Sequence, residues 1–235
     1  MTKYDSIEYF YPFSSVHSKL KTSGFENKSM NGVLFFEDYG IYTNNQILGV
    51  VELDDGMKLQ NTLFFAFAES EENQISYSNT DVSPVSQDFL FESDIKTEMP
   101  KILFKTFENF FILDKIRLLE NLNIIGDKSK HRFSVEISSG YADTLVIFKI
   151  VDDKSPDAVL GEWGLNIFNF GDNIRVTQPF FIRVNLLYLY YVLRHGFGEN
   201  NIVNIKFDSY TKRSPLIIFD ANQGSTRKFW AIAQN

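Results

Sequence analysis

Three histidines (His17, His131 and His195) and an acidic run (Asp152, Asp153 and Asp157) are the residues of this 235-residue chain best suited to chemistry, yet their spacing supports no reaction. The histidines show no metal-ligand spacing. The acidic run is the best candidate for holding a cation, but it lacks the glycine and the terminal glutamate of a calcium loop and reads as a turn between strands. Glu162 beside Trp163 invites comparison with a sugar-cleaving carboxylate, although no second acid is placed to share the work. No phosphate-binding glycine loop, dinucleotide fingerprint or nucleophile elbow occurs. The absence of cysteine excludes disulfides, thiolate metal sites and a thiol nucleophile. The expectation is a protein that is not an enzyme and uses no metal or cofactor.

Binding chemistry is better represented. Lys128, Lys130, His131 and Arg132 form the densest basic cluster, a loop that could reach a phosphate backbone or simply be a solvated turn. The formal net charge is −7, which argues against a surface that grips nucleic acid all over and leaves room for locally placed cations. Hydrophobic content of 44% with 24 Phe and 11 Tyr is ample for a buried core, so a folded chain is expected. The N-terminus lacks a basic-then-apolar leader and no apolar run approaches the ~18 residues of a membrane span, so the expected location is cytoplasmic.

The elements that would position these groups follow from periodicity. Residues 14–22 predict a short helix with Ser14 as N-cap and Gly24 as its stop. Residues 32–36, 47–53 and 62–68 predict strands, with turns at 38–40 and 54–56. Residues 69–100 read as a polar linker interrupted by Phe89, Leu90 and Phe91, an island that suits a docked connector or a partner site. Beyond Pro100 the pattern predicts a strand over 101–107 and a helix over 108–122. Its core side would carry Ile112, Ile116 and Leu119, its wet side Asp114, Arg117 and Asn121, and Lys115 would lie nearer the apolar side. Strands at 133–137 and 144–151 follow, then a loop at 152–157 and a hairpin over 159–170 turning at Gly164.

The last stretch, residues 178–235, repeats that order. A strand at 180–184 leads into a helix over 185–194, broken at Gly196 and Gly198, and strands follow at 202–207, 215–220 and 227–233. On the helix, Leu186, Leu189, Val192 and Leu193 would face the core and Leu187, Tyr191, Arg194 and His195 the other side. Two strand–helix–strands units side by side predict an α+β domain with helices on one face of antiparallel sheets.

The residues Phe180 or Phe181, Tyr188, Leu189 and Leu193, followed by Val203 to Phe207, Pro215-Leu216 and Phe229 to Ile232, resemble the last unit of the DNA sliding clamp superfamily. That resemblance implies an α+β clamp fold with sheets outside and helices inside, and a division into a clamp-like domain over 1–99, with a connector at about 81–99, and a clamp domain over 100–235. It implies a homotrimeric, phage-type processivity factor that encircles duplex DNA without sequence preference. The polymerase and a clamp loader would be its partners. The DNA-facing residues would come from Arg117, Lys128, Lys130, Arg132, Arg194 and His195. A partner-peptide pocket would draw on Phe89, Leu90, Phe91, Phe229, Trp230 and Ile232. The rival expectations are a β-rich virion structural or assembly protein and a small-ligand-binding β domain with Trp163 and Trp230 as stacking platforms.

Overall fold

The computed structural model describes residues 3–23, 32–37, 39–44, 46–53, 59–66, 109–139, 145–166, 180–197, 201–207, 215–220 and 228–234. It opens with α1 (Lys3–Thr22), far longer than the helix predicted from Ser14. Ser14 is no N-cap: its hydroxyl donates back to the Tyr11 carbonyl at 3.2 Å, inside a helix that carries Pro12. Phe13, Val16, His17 and Leu20 are its buried stripe, the spacing of one helical face.

Three strands follow, β1 (Gly32–Glu37), β2 (Tyr39–Thr43) and β3 (Ile47–Glu52), and then β4 (Leu59–Ala66). Of the turn predicted at 38–40, Tyr39 and Gly40 belong to β2, with Phe36 already opposite Tyr39, while residue 38 lies outside the described residues. Gly40 serves close packing there: a Cβ on it would lie 2.5 Å from Phe35 Cε1 and 2.9 Å from Val51 Cγ1.

The helix predicted over 108–122 is a correction. Residues Asn109–Asp114 form strand β5, and only Lys115–Leu122 form a helix, α2. Alternation wins over the three- and four-residue recurrence because Phe111 and Leu113 point into the core while six residues pair with a neighbouring strand. Asp114 then caps the helix, its Oδ1 accepting from the amides of Ile116 at 2.9 Å and Arg117 at 3.3 Å. A 3-10 helix (Asp127–Arg132) leads into β6 (Phe133–Ser139), β7 (Leu145–Asp152) and β8 (Ser155–Asn166). The hairpin predicted through Gly164 is also corrected: β8 is continuous, and Gly164 pairs with Ile147 within it. The last unit matches its prediction closely, with β9 (Phe181–Asn185), α3 (Leu186–His195), β10 (Ile202–Phe207), β11 (Leu216–Asp220) and β12 (Lys228–Ile232).

One pattern organises all of this. After each described α-helix the chain makes a three-strand antiparallel meander, and a fourth strand from outside the meander pairs with its first member. The quartets are β4-β1-β2-β3, β9-β6-β7-β8 and β5-β10-β11-β12. The second and third exchange strands reciprocally: β5, which precedes α2, pairs with β10, and β9, which precedes α3, pairs with β6. The first and third quartets fuse edge to edge into an eight-stranded sheet through β3 and β12, with register pairs from Ile47↔Ile232 to Val51↔Lys228. The second quartet is a separate four-stranded sheet.

The three helices among the described residues share one core with the inner faces of both sheets. The outer faces differ in character. Across the four-stranded sheet Arg183, Glu136, Lys149 and Glu162 stand opposite one another in register, with Arg183–Glu136 at 3.7 Å and Lys149–Glu162 at 3.2 Å. On the eight-stranded sheet the outer face carries a second apolar cluster of Ile41, Val50, Ile217, Phe229 and Ala231. No helix among the described residues is long and apolar enough to cross a membrane.

Candidate functional site

The basic cluster and the C-terminal helix form one assembly. The 3-10 helix packs along α3, anchored where Asn185 Nδ2 donates to the His131 carbonyl at 3.0 Å. The Asn185 Oδ1 meanwhile caps α3 by accepting from the Leu187 amide at 3.0 Å. Packed between α1, α2 and the 3-10 helix, α3 has no wet side over most of its length, and every residue from Leu186 to Leu193 is buried. The predicted exposure of Leu187 and Tyr191 is therefore corrected.

Lys130 is the largest surprise of the cluster, being wholly buried. Its ammonium donates to the Ile125 carbonyl and to Asn123 Oδ1, and sits 4.3 Å above the Tyr190 ring. Carbonyl and ring quadrupole compensate the charge where water cannot. A side chain in that position holds the fold together and touches no phosphate, which corrects its predicted role. Arg194 approaches the same ring from the exposed end of α3, its guanidinium 5.6 Å from the centroid and donating to the Tyr190 hydroxyl. Tyr190 thus gathers Lys130 and Arg194 around one side chain, and only Arg194 faces solvent.

Arg132 is half-exposed but engaged. Its Nε donates to Asp152 Oδ1 at 3.2 Å and its Nη2 to Oδ2 at 2.5 Å, a two-pronged pair. The Arg132 hydrogen bond, then the Lys154 amide at 2.9 Å, hold the Asp152 carboxyl below its ordinary value. The acidic run is otherwise engaged too. Asp152 serves Arg132, while Asp153 accepts from Ser134 Oγ at 2.6 Å and Arg183 Nη2 at 2.9 Å. Asp157 lies exposed on β8. Among the described residues no three His, Cys, Asp or Glu side chains are grouped to hold a metal.

The remaining predicted cations are spread over the helical layer. Arg117 is exposed on α2, as expected, but the core side of that helix is Lys115, Leu118 and Leu122, and Ile116 faces out. Lys115 Nζ donates to the buried Phe197 carbonyl at 3.1 Å. His195 is half-buried with its ring 6.0 Å from Tyr191. His131 is exposed, and Lys128 lends its backbone to the 3-10 helix, its side chain lying outside the described ones. Sequence reasoning missed Lys19 and Lys21, exposed in the last turn of α1. Their place before a helix stop was the one signal that pointed to them.

The predicted peptide pocket is divided by the two-residue alternation of β12. Phe229 joins the outer apolar cluster, whereas Trp230 and Ile232 enter the main core. Trp230 packs 5.4 Å from Phe13 and 6.1 Å from Tyr42, between Gly49 and Gly196, where any Cβ would fall within 2.8 Å of its ring. Phe89, Leu90 and Phe91 lie outside the described residues. Neither tryptophan is a free stacking platform: Trp230 is buried and Trp163 lies flat on Phe148 at 5.7 Å.

No family model and no curated protein matches this chain. Solved structures do. The DNA polymerase III beta sliding clamp of Pseudomonas aeruginosa bound to griselimycin aligns over 95% of this chain and 64% of its own, with a TM-score of 0.58 at 14% identity. Caulobacter crescentus pol III beta aligns over 89% of this chain and 60% of its own, with a TM-score of 0.58 at 12% identity. The Helicobacter pylori beta clamp bound to a DNA ligase peptide aligns over 93% and 62%, with a TM-score of 0.55 at 13% identity. The chain spans less than two thirds of the length of each of these proteins, and at such identity the likeness is one of fold.

Proposed function

We propose, from the premise that this chain has the α+β fold of a DNA sliding clamp, that it is a non-enzymatic processivity factor which encircles duplex DNA and tethers a replicative polymerase. The observation that carries the reading is the repeated helix-and-meander unit with its reciprocal β5–β10 and β9–β6 exchange, the architecture that aligns with the clamps. On this reading the chain comprises a clamp-like domain over about 1–99 with a connector at 81–99, and a clamp domain over 100–235. Three copies close a ring, the length of two domains suiting a trimer. A clamp loader opens it, and a phage replisome in a host cytoplasm is its setting.

The mechanism is topological. A closed ring is held on DNA by linkage, so its contacts can be weak and mobile, as sliding requires. Arg117, Arg194 and His195, with Lys128 and Arg132 from the 3-10 helix, supply such contacts from the helical layer. Lys19 and Lys21 join them. A partner's apolar peptide is received beside the β3–β12 seam, on the partly buried Leu34, Tyr39, Leu48 and Phe219 that cover the buried cluster around Phe229. Trp230 is buried and Phe148 stacks on Trp163, which weighs against the small-ligand reading.

The test is retention on DNA without free ends. The protein, loaded onto nicked circular DNA, should stay bound through gel filtration and be released when the circle is cut once. Equal retention on circular and linear DNA rejects the clamp reading.

A further inference from the structure

We infer that Lys206 selects the docked peptide, its ammonium pairing with a carboxylate carried among the peptide's apolar side chains. This deepens the proposed docking beside the β3–β12 seam and rests on it. The outer face of the eight-stranded sheet is laid out in register rows. One runs from Thr43 through Leu48, Ala231, Ile217 and Lys206 to Phe110. The row beside it, from Leu34 on β1 to Ile112 on β5, holds no charged residue. Across both rows Lys206 is the one residue that carries a charge.

That charge meets no anion. Its register neighbours are Ile217 and Phe110, and its ammonium lies 4.5 Å from the centre of the Phe219 ring. Among the described residues no carboxylate pairs with it. Burial pushes the ammonium below the ordinary lysine value. A lysine kept for solubility lifts its head into water, whereas this one rests its head on an aromatic ring, whose quadrupole compensates part of the lost hydration. The four-stranded sheet shows the contrast, for there Arg183 and Lys149 each stand opposite a glutamate in register.

The position suits selection. Phe219 belongs to the partly buried rim of the docking surface, and Leu48, another member of that rim, shares the row of Lys206. Leu48 and Lys206 lie three strand spacings apart, about 14 Å, the reach of about four extended residues. A peptide lying across the strands therefore meets apolar side chains first and the ammonium at its end. A carboxylate placed there is desolvated together with its partner and gains more than in open water, while a neutral residue leaves the ammonium unmet.

The experiment measures the binding of short synthetic peptides, by fluorescence polarisation, to the wild type, Lys206→Met and Lys206→Glu. Each peptide carries leucine and phenylalanine with a single aspartate moved through the remaining positions, and each has twins with asparagine or lysine in its place. The best aspartate peptide should bind the wild type about tenfold tighter than its asparagine twin. In Lys206→Met the two should bind alike, and Lys206→Glu should favour the lysine twin. Aspartate and asparagine peptides that bind the wild type alike overturn the pairing and leave the apolar docking standing. A Lys206→Met chain that weakens both twins equally, preserving their ratio, gives Lys206 a structural role only and also overturns the pairing. A wild type that binds no peptide overturns the pairing and the docking together. An aspartate preference that depends on Lys206, in a chain retained equally on circular and linear DNA, supports the pairing and overturns the clamp. Should Lys206→Met unfold, Lys206→Gln supplies the same comparison.

Discussion

The Trp230 indole nitrogen donates to the Gly196 carbonyl at 3.1 Å, tying the strand that fuses the two quartets to the end of α3. Both partners are buried, and a Cβ on Gly196 would lie 2.5 Å from that nitrogen and 2.6 Å from the Val192 carbonyl oxygen. The second clash is with backbone and cannot be relieved by a rotamer change. Gly196→Ala should therefore cost about 1–3 kcal/mol through overpacking. Trp230→Phe should cost a similar ~1–3 kcal/mol by leaving the carbonyl unsatisfied. Urea melts at 25 °C check both, and an unchanged midpoint in either removes this tie as a source of stability.

Lys130 and Arg194 share Tyr190 but should behave oppositely. Lys130→Met leaves the Ile125 carbonyl and Asn123 without their donor, so stability should drop by about 1–3 kcal/mol while DNA retention is unchanged. Arg194→Glu should weaken binding to short linear DNA, where linkage does not hold the ring, with little loss of stability. A Lys130 variant that stays folded yet loses DNA contradicts its buried placement.

Arg117→Glu with Arg194→Glu removes two exposed cations of the helical layer. Abolishing one cation–phosphate pairing should flatten the dependence of log affinity on log salt by about 0.9. The double variant should therefore lower the slope by roughly 1.8 if both side chains reach the backbone. A slope equal to wild type assigns the DNA contacts to other residues, with Lys19 and Lys21 the next to test.

The Arg132–Asp152 pair sets a pH dependence with a definite sign. Asp152 is held below its ordinary value by the Arg132 hydrogen bond first and the Lys154 amide second, so the folded state favours the ionised carboxyl. Its contribution is complete above the ordinary aspartate value of about 3.9 and is lost as pH falls through the lower folded value. Asp152→Asn should thus be less stable than wild type at pH 6, and the gap should close as pH falls below about 4. A gap constant from pH 6 to pH 3 contradicts the pairing.

The C-terminal unit was legible because several local signals agreed there: β9 alternates, Asn185 caps, α3 is uniformly apolar, and Gly196 stops it. Residues 109–114 were not, because Ile112, Ile116 and Leu119 fit a helical recurrence as well as a strand, and only pairing with β10 decides between them. The basic cluster misled for a different reason. A run of Lys, His and Arg looks solvated in one dimension, and nothing local reveals that Lys130 turns inward to a tyrosine sixty residues later. The missed strand β2 was hidden by Gly40, whose value is the room it leaves for Phe35 and not the bend it permits.

The in-register row of Arg183, Glu136, Lys149 and Glu162 makes the back wall of the four-stranded sheet electrically quiet. Neighbours of alternating sign cancel, and at physiological ionic strength little field survives beyond about 8 Å. A passing polyanion is neither drawn to that wall nor driven from it, so the negative excess of the molecule exerts its long-range push from other regions.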